Sequence, residues 1–339
     1  MSNNLKNILN TFIGIIVGLF FLYITFHDKP LDEIFDSIKN ANIYWLLFNG
    51  FLLFIVMYLR AIRWKIIIEN SGYTAENIDI MNSTVLGFFV NSFTPKIGEI
   101  TRCTTIYRTS KIPFSISFGT IVIDRIWDML ILLLGIIAVF SLEIEKLKFI
   151  KTHVLQNIIN LFSNNSNLII WIIIFLTIFS FIIIFILYKF HNKIIFFSRL
   201  VCFFSDTYET IKNSIKLKKF NSFIVITIVI WILLILMNYT CLLALPETDN
   251  YNFYFATVVL FIGGLGWAMP TPGGIGTTHF LILQLFLAYN LDPKTGLSFA
   301  VLSNGITFVY TIIFGLIALP IYEIRRRKAC SKHINHQIV

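Results

Sequence analysis

Of 339 residues, 57% are hydrophobic and only 13% are charged, and the mean hydropathy is +0.79. A chain this apolar cannot wrap one water-soluble core in polar surface, which excludes a soluble enzyme or a solvated nucleic-acid binder. The net charge of +9 is informative through its placement, because Lys and Arg favour the cytoplasmic side of a membrane.

Apolar stretches at 9–26, 43–59, 118–141, 168–188, 222–245 and 298–320 reach or approach the ~20 residues that cross a bilayer as a helix. The fold class is therefore all-α, a polytopic transmembrane helical bundle with about six full spans. The first run lacks a small-residue cleavage site near Thr25-Phe26-His27 and is read as a retained span rather than a signal peptide. With the N-terminus cytoplasmic, it leads to an outer loop carrying Asp28, Asp32, Glu33 and Asp36. The span 43–59 returns to Arg60, Arg63 and Lys65. Residues 80–112 begin and end beside basic residues, so an apolar entry, a break and an exit on the same side predict a re-entrant hairpin.

The span 118–141 then leads out, through the mixed-charge loop 142–167, and 168–188 comes back. The basic segment 189–221 predicts an amphipathic interfacial helix. The span 222–245 exits to Glu247 and Asp249, and 298–320 must end inside, because Arg325 to Lys328 follow it. Residues 253–292 therefore begin and end outside. Their arms are short, which fits a second re-entrant hairpin, with two full spans (eight in all) as the alternative of equal parity. Two oppositely oriented hairpins are the pattern of an inverted-repeat transporter. One transmembrane domain, 1–324, and a short basic cytoplasmic tail, 325–339, are expected, with both termini cytoplasmic in a multi-pass cell (inner) membrane protein.

Two breaks mark the hairpins: Asn91-Ser-Phe-Thr-Pro95-Lys-Ile-Gly98-Glu99-Ile-Thr-Arg102, and Pro270-Thr-Pro272-Gly273-Gly274-Ile-Gly276. Broken backbone at membrane depth persists only where protein or a wet cavity satisfies it, so both are candidate headgroup sites. Glu99 and Arg102 are three apart, which predicts a pair in which the carboxylate holds a phosphate-gripping guanidinium. Asp124, Arg125 and Asp128 are ionisable groups inside a span, costly unless partnered, and Arg102 is the partner expected across the interface. Arg60, Arg63 and Trp64 read first as interfacial anchors, with attraction of anionic headgroups as the functional alternative. Gly273, Gly274 and Gly276 would expose backbone N–H groups at the start of a half-helix, a ready anion site. His279 in its first turn is either a headgroup contact or a packing residue. Cys103, Cys202, Cys241 and Cys330 are scattered without ligand spacing, so neither a disulfide framework, a metal site nor a cofactor is expected.

Together these motifs resemble the lysylphosphatidylglycerol synthase transmembrane-region family, also called flippase-like membrane proteins. The resemblance rests on Arg60-x-x-Arg63-Trp64, Asn91…Pro95-Lys-Ile-Gly98-Glu99-x-x-Arg102, Asp124-Arg125…Asp128 and Thr271-Pro272-Gly273-Gly274-Ile275-Gly276, in order over nearly the whole chain. It implies a membrane domain with re-entrant helices that binds or moves polar-headgroup lipids, whether phospholipid, glycolipid or isoprenoid phosphate. The best-known relatives fuse this domain to a soluble aminoacyl transferase. This sequence carries none, so synthase activity is not expected. Many relatives have a Glu just after Pro-Gly-Gly, where this chain has Thr277-Thr278-His279.

The leading expectation is a flippase-like transporter of lipids with anionic or glycosylated headgroups and no nucleic-acid partner. Arg102 and Arg125 would bind phosphate, and Glu99 and Asp128 would organise them. Two alternatives stay open: a membrane enzyme on a lipid-linked phosphate or sugar using Glu99 or Asp124 as base, and a scaffold for a separate lipid-modifying enzyme. A homo-oligomer also fits.

Overall fold

The structure, a computed structural model, describes residues 31–94, 96–143, 217–269 and 271–337, with Leu19, Phe21–Tyr23, Thr25 and Phe26 of the first apolar run. The expected span 168–188, nearly all of the 142–167 loop and of the 189–221 interfacial helix, Pro95, Pro270 and Cys202 lie outside the described residues, as does most of the span 9–26. The described residues are helical with no strand. In chain order they are α1 (Leu31–Lys39), α2 (Ile43–Asn70), α3 (Asn77–Phe93), α4 (Ile97–Ser110), α5 (Phe114–Leu142), α6 (Phe220–Ala244), α7 (Phe253–Ala268), a 3₁₀ turn (Pro272–Gly274), α8 (Thr277–Ala288) and α9 (Pro293–Gln337).

Local chemistry sets these boundaries. Asn42 caps α2 by accepting from the Tyr44 N–H, and Asn252 caps α7 by accepting from Phe255, each satisfying an orphan donor of the first turn. Pro113 precedes α5, where its fixed φ suits a helix start. Four helices, α2, α5, α6 and α9 to Cys330, are long and apolar enough to span a membrane, and only 17–39% of their most apolar windows is buried. Side chains such as Leu133, Leu134, Ile232 and Leu316 instead face outward. Apolar surface on that scale suits lipid rather than water.

The arms α3 and α4 pack on each other as hairpin 1, and α7 and α8 as hairpin 2; α9 packs against arms of both. Their orientation follows from the contacts at the bundle's ends. At one end the Arg325 guanidinium, late in α9, pairs with Asp79 at the base of hairpin 1 (2.7 Å), and Lys219 before α6 pairs with Glu69 late in α2 (2.9 Å). At the other, the Asn42 N–H donates to the Ala244 carbonyl (2.8 Å), and Tyr254 at the base of hairpin 2 donates to Glu143 (3.0 Å). The two bases therefore sit at opposite ends of α9, with the tips pointing toward each other, as the charge walk predicts.

One boundary differs from expectation. The helix α9 runs without interruption past 324/325, and Arg325 is tied to Asp79 and Glu76. Arg325 is thus part of the bundle rather than of a free basic tail, because a carboxylate buried at the base of hairpin 1 needs a cationic partner.

Candidate functional site

Three helices, α2, α4 and α5, bring seven ionisable side chains together. Arg63 lies seven residues before the end of α2, and Asp124 ten residues into α5. At 1.5 Å per residue the cluster sits about 10–15 Å in from that end of the bundle. The Arg63 guanidinium is fully buried, with Nη2 2.7 Å from Asp124 and Nη1 2.8 Å from Asp128. Arg60 reaches Asp128 at 2.7 Å. Arg102 is buried over the Trp64 ring, 4.2 Å from its centroid, and approaches Asp124 at 3.7 Å. Its Nε and Nη2 have no hydrogen-bond partner among the described residues. Arg125, a third exposed, pairs with Glu99 at 2.9 Å and lies 3.8 Å from Asp128.

Among the described residues four guanidinium groups thus face three carboxylates, leaving one positive charge unmatched. The exposed Lys96 adds another within electrostatic reach of Glu99 and Arg125. In a low-dielectric setting a surplus buried cation is costly unless an anion joins it.

Two pairings differ from the sequence reading. Glu99 pairs with Arg125 rather than with Arg102, because Arg102 turns inward onto Trp64 and Asp124 while Glu99 faces the outer side of α5. The second concerns Arg60, Arg63 and Trp64, which are not interfacial anchors. Arg63 and Trp64 are fully buried, and the Trp64 indole donates to Thr120 (3.0 Å). The signal for this was present: basic residues at 60 and 63 match acids at 124 and 128, two one-turn rows that can face each other. The expected contact of Arg102 with Asp124 is found, but Arg63 supplies the closer partner.

The Glu99–Arg125 pair stands in the wall of a groove of about 410 Å³ along α5, whose other lining residues are Phe118, Ile121, Val122, Ile126, Met129, Leu130 and Leu133. The groove is apolar apart from that ion pair, so its lining is amphipathic in the way a lipid is.

At the tip of hairpin 1, Asn91 closes the break. Its Oδ1 accepts from the Gly98 N–H (2.7 Å) and its Nδ2 donates to Glu99 (3.3 Å). Gly98 packs against the Gly87 backbone, where a methyl group would overlap the Gly87 carbonyl. At the tip of hairpin 2, Thr277 is within hydrogen-bonding distance of the Gly266 and Gly274 carbonyls (2.9 and 3.1 Å) and of the Thr271 hydroxyl (3.0 Å). Each broken backbone is therefore re-satisfied by one short polar side chain, as hydrocarbon demands.

The expectation of free glycine amides for an anion is not met at Gly274 or Gly276. Gly274 donates to Thr271, Ile275 to Pro272 and Gly276 to His279 Nδ1, because a break away from water must first satisfy itself. Gly273, Gly274 and Gly276 all have positive φ, the region L-residues avoid, so these glycines shape the turn. The tips meet: a Cβ at Gly273 would lie 3.8 Å from the Ser92 carbonyl oxygen. Beside that contact is a second cavity, of about 330 Å³, lined by residues of both tips, α9, α1 and the first apolar run. The buried His279 lies on its wall. Among the described residues, Cys103 and Cys241 are buried free thiols and Cys330 is exposed, and no group of three His, Cys, Asp or Glu side chains could hold a metal ion.

Comparison with known proteins places these features in context. Residues 11–315 match the family described as the lysylphosphatidylglycerol synthase TM region. The chain is 26% identical over 332 residues to the UPF0104 membrane protein MJ1595 of Methanocaldococcus jannaschii, covering 93% of this chain and 96% of that protein. It is 22% identical over 334 residues to the UPF0104 membrane protein PH1989 of Pyrococcus horikoshii, covering 90% and 95%. No solved structure matches the chain.

Proposed function

We propose, from the premise that the chain belongs to the lysylphosphatidylglycerol synthase TM region family, that it binds a lipid with an anionic headgroup at the groove along α5 and carries that lipid across the membrane. The groove along α5 is the observation that carries this reading. It offers an apolar wall for acyl chains and, in the same wall, an ion pair that an anionic headgroup can open. A phosphate that takes Arg125 from Glu99 gains a bidentate guanidinium contact. It also supplies the negative charge that the arginine cluster lacks. Behind Arg125, the unpartnered N–H groups of Arg102 are further donors to an anion that penetrates deeper.

The bases of the enzyme alternative already have partners, Glu99 in Arg125 and the Asn91 amide and Asp124 in Arg63 and Arg102, which favours binding over proton abstraction. The end of the bundle carrying Lys65, Lys218, Lys219 and Arg325–Lys328 is the cytoplasmic one in this reading, by the positive-inside rule. Cys330 at that end should then be protected from an impermeant maleimide in intact cells.

The decisive assay is scrambling of fluorescent phosphatidylglycerol in proteoliposomes. Arg125→Ala should slow it by about 100-fold, the worth of a charge-assisted bidentate contact, and Arg125→Lys should restore only part. A folded Arg125→Ala protein scrambling at the wild-type rate would overturn the proposal.

A further inference from the structure

The cavity between the hairpin tips has a chemistry different from that of the arginine cluster. Among the described residues, no Asp, Glu, Lys or Arg lines it, so these residues offer no counter-charge to a phosphate, carboxylate or ammonium group, each of which is costly to desolvate unpaired. Three of its polar side chains offer acceptors. Ser92 and Thr307 donate their hydroxyl protons to the Phe88 and Ser303 carbonyls (3.2 and 2.9 Å), which leaves oxygen lone pairs for the cavity. Asn304 donates through Nδ2 to Ala300 (3.1 Å). Its Oδ1 is buried without a partner among the described residues, and Asn304 is only 8% exposed. An orphaned acceptor in a cavity wall is a vacancy for a donor.

Donors also line the cavity: the Trp267 indole N–H, the Thr311 hydroxyl and His279. The Gly276 N–H points at His279 Nδ1 (3.4 Å), so Nδ1 is the unprotonated nitrogen and the ring proton sits on Nε2. Trp267, Phe26 and Phe308 supply aromatic wall.

We infer that this cavity holds an uncharged, hydroxyl-rich ring, a sugar or comparable polyol, carried as part of a lipid headgroup. A hydroxyl both donates and accepts, so a ring bearing several can fill the Asn304 Oδ1 vacancy and receive the His279 Nε2–H. Aromatic faces suit the C–H face of such a ring. An ammonium group would meet the acceptors but would also face the Nε2–H with no carboxylate among the described lining residues. The inference rests on the lipid-binding reading above and adds the headgroup class.

The test uses the full chain in phosphatidylglycerol nanodiscs doped with monoglucosyldiacylglycerol, reading Trp fluorescence and the lipids retained on native mass spectrometry. Wild type should retain the glucosyl lipid in preference to phosphatidylethanolamine. Asn304→Leu should lose that retention by about tenfold, the worth of one hydrogen bond to an orphaned acceptor. His279→Phe, which keeps a ring and removes the donor, should do the same, and it carries the test if Asn304→Leu misfolds.

Free methyl glucoside separates the sources: saturation by the glucosyl lipid alone assigns a lipid-borne ring, and equal saturation by the free glucoside assigns a soluble sugar and overturns the lipid assignment. Equal retention of phosphatidylethanolamine, or unchanged retention in both folded variants, overturns the site itself. Wild-type phosphatidylglycerol scrambling by Arg125→Ala would sink the transport reading while leaving this result standing.

Discussion

Arg63 has no exposed side-chain surface, and its stability in an apolar bundle depends on Asp124 and Asp128. Removing one acid strands a cation rather than deleting a contact. Asp124→Asn should therefore lower the unfolding free energy by about 3–5 kcal/mol, measured by equilibrium unfolding in mixed micelles, and adding Arg63→Met should return much of the loss. The same logic separates the arginines by role. Arg63 and Arg102 are buried, whereas Arg125 is partly exposed at the groove. Substitution of Arg125 should therefore change lipid handling more than stability. The sequence displayed all of these residues, but a span's periodicity says only which ones share a face, not which face meets which neighbour.

Each hairpin is a pair of short helices whose break is closed by one polar side chain, Asn91 in one and Thr277 in the other. Hairpin 1 also depends on two backbones in contact at Gly87 and Gly98. Gly98→Ala should cost about 1–3 kcal/mol, as overpacking does, and should speed hydrogen exchange at amides 87–98. Asn91→Leu leaves the Gly98 N–H unpaired and removes a ligand of Glu99. It should give similar exchange and in addition weaken lipid retention at the α5 groove. Proline and glycine announced both breaks in the sequence. Asn91 and Thr277 stood in the motifs as headgroup candidates, and their repairing role was not legible because it depends on what lies across the turn.

Across the whole molecule, α9 ties the base of hairpin 2 to the base of hairpin 1. Arg325 holds Asp79 bidentately (2.7 and 3.0 Å), and Ser110 of the opposite arm donates to the same carboxylate (2.8 Å). Arg325→Ala should loosen hairpin 1 as a unit. Cys103, buried within it, should then react with a permeant maleimide about tenfold faster, by local opening, while the exposed Cys330 is unchanged; mapping the labelled peptides checks both. Apolar run lengths and the positions of basic residues were enough to predict α2, α5, α6 and α9 and the opposed hairpins.

Composition and pattern by themselves determined a helical membrane protein with two interrupted hairpins, because bilayer thickness and backbone hydrogen bonding leave a hydrophobic chain few other choices. Tertiary structure alone decided that Glu99 serves Arg125, that Arg63 rather than Arg102 is the centre of the acid cluster, and that the Gly274 and Gly276 amides of the second break are already spent. These are matters of which side chains meet across helices far apart in sequence, and there the need to satisfy every buried charge and N–H selects one pairing among several that the sequence permits.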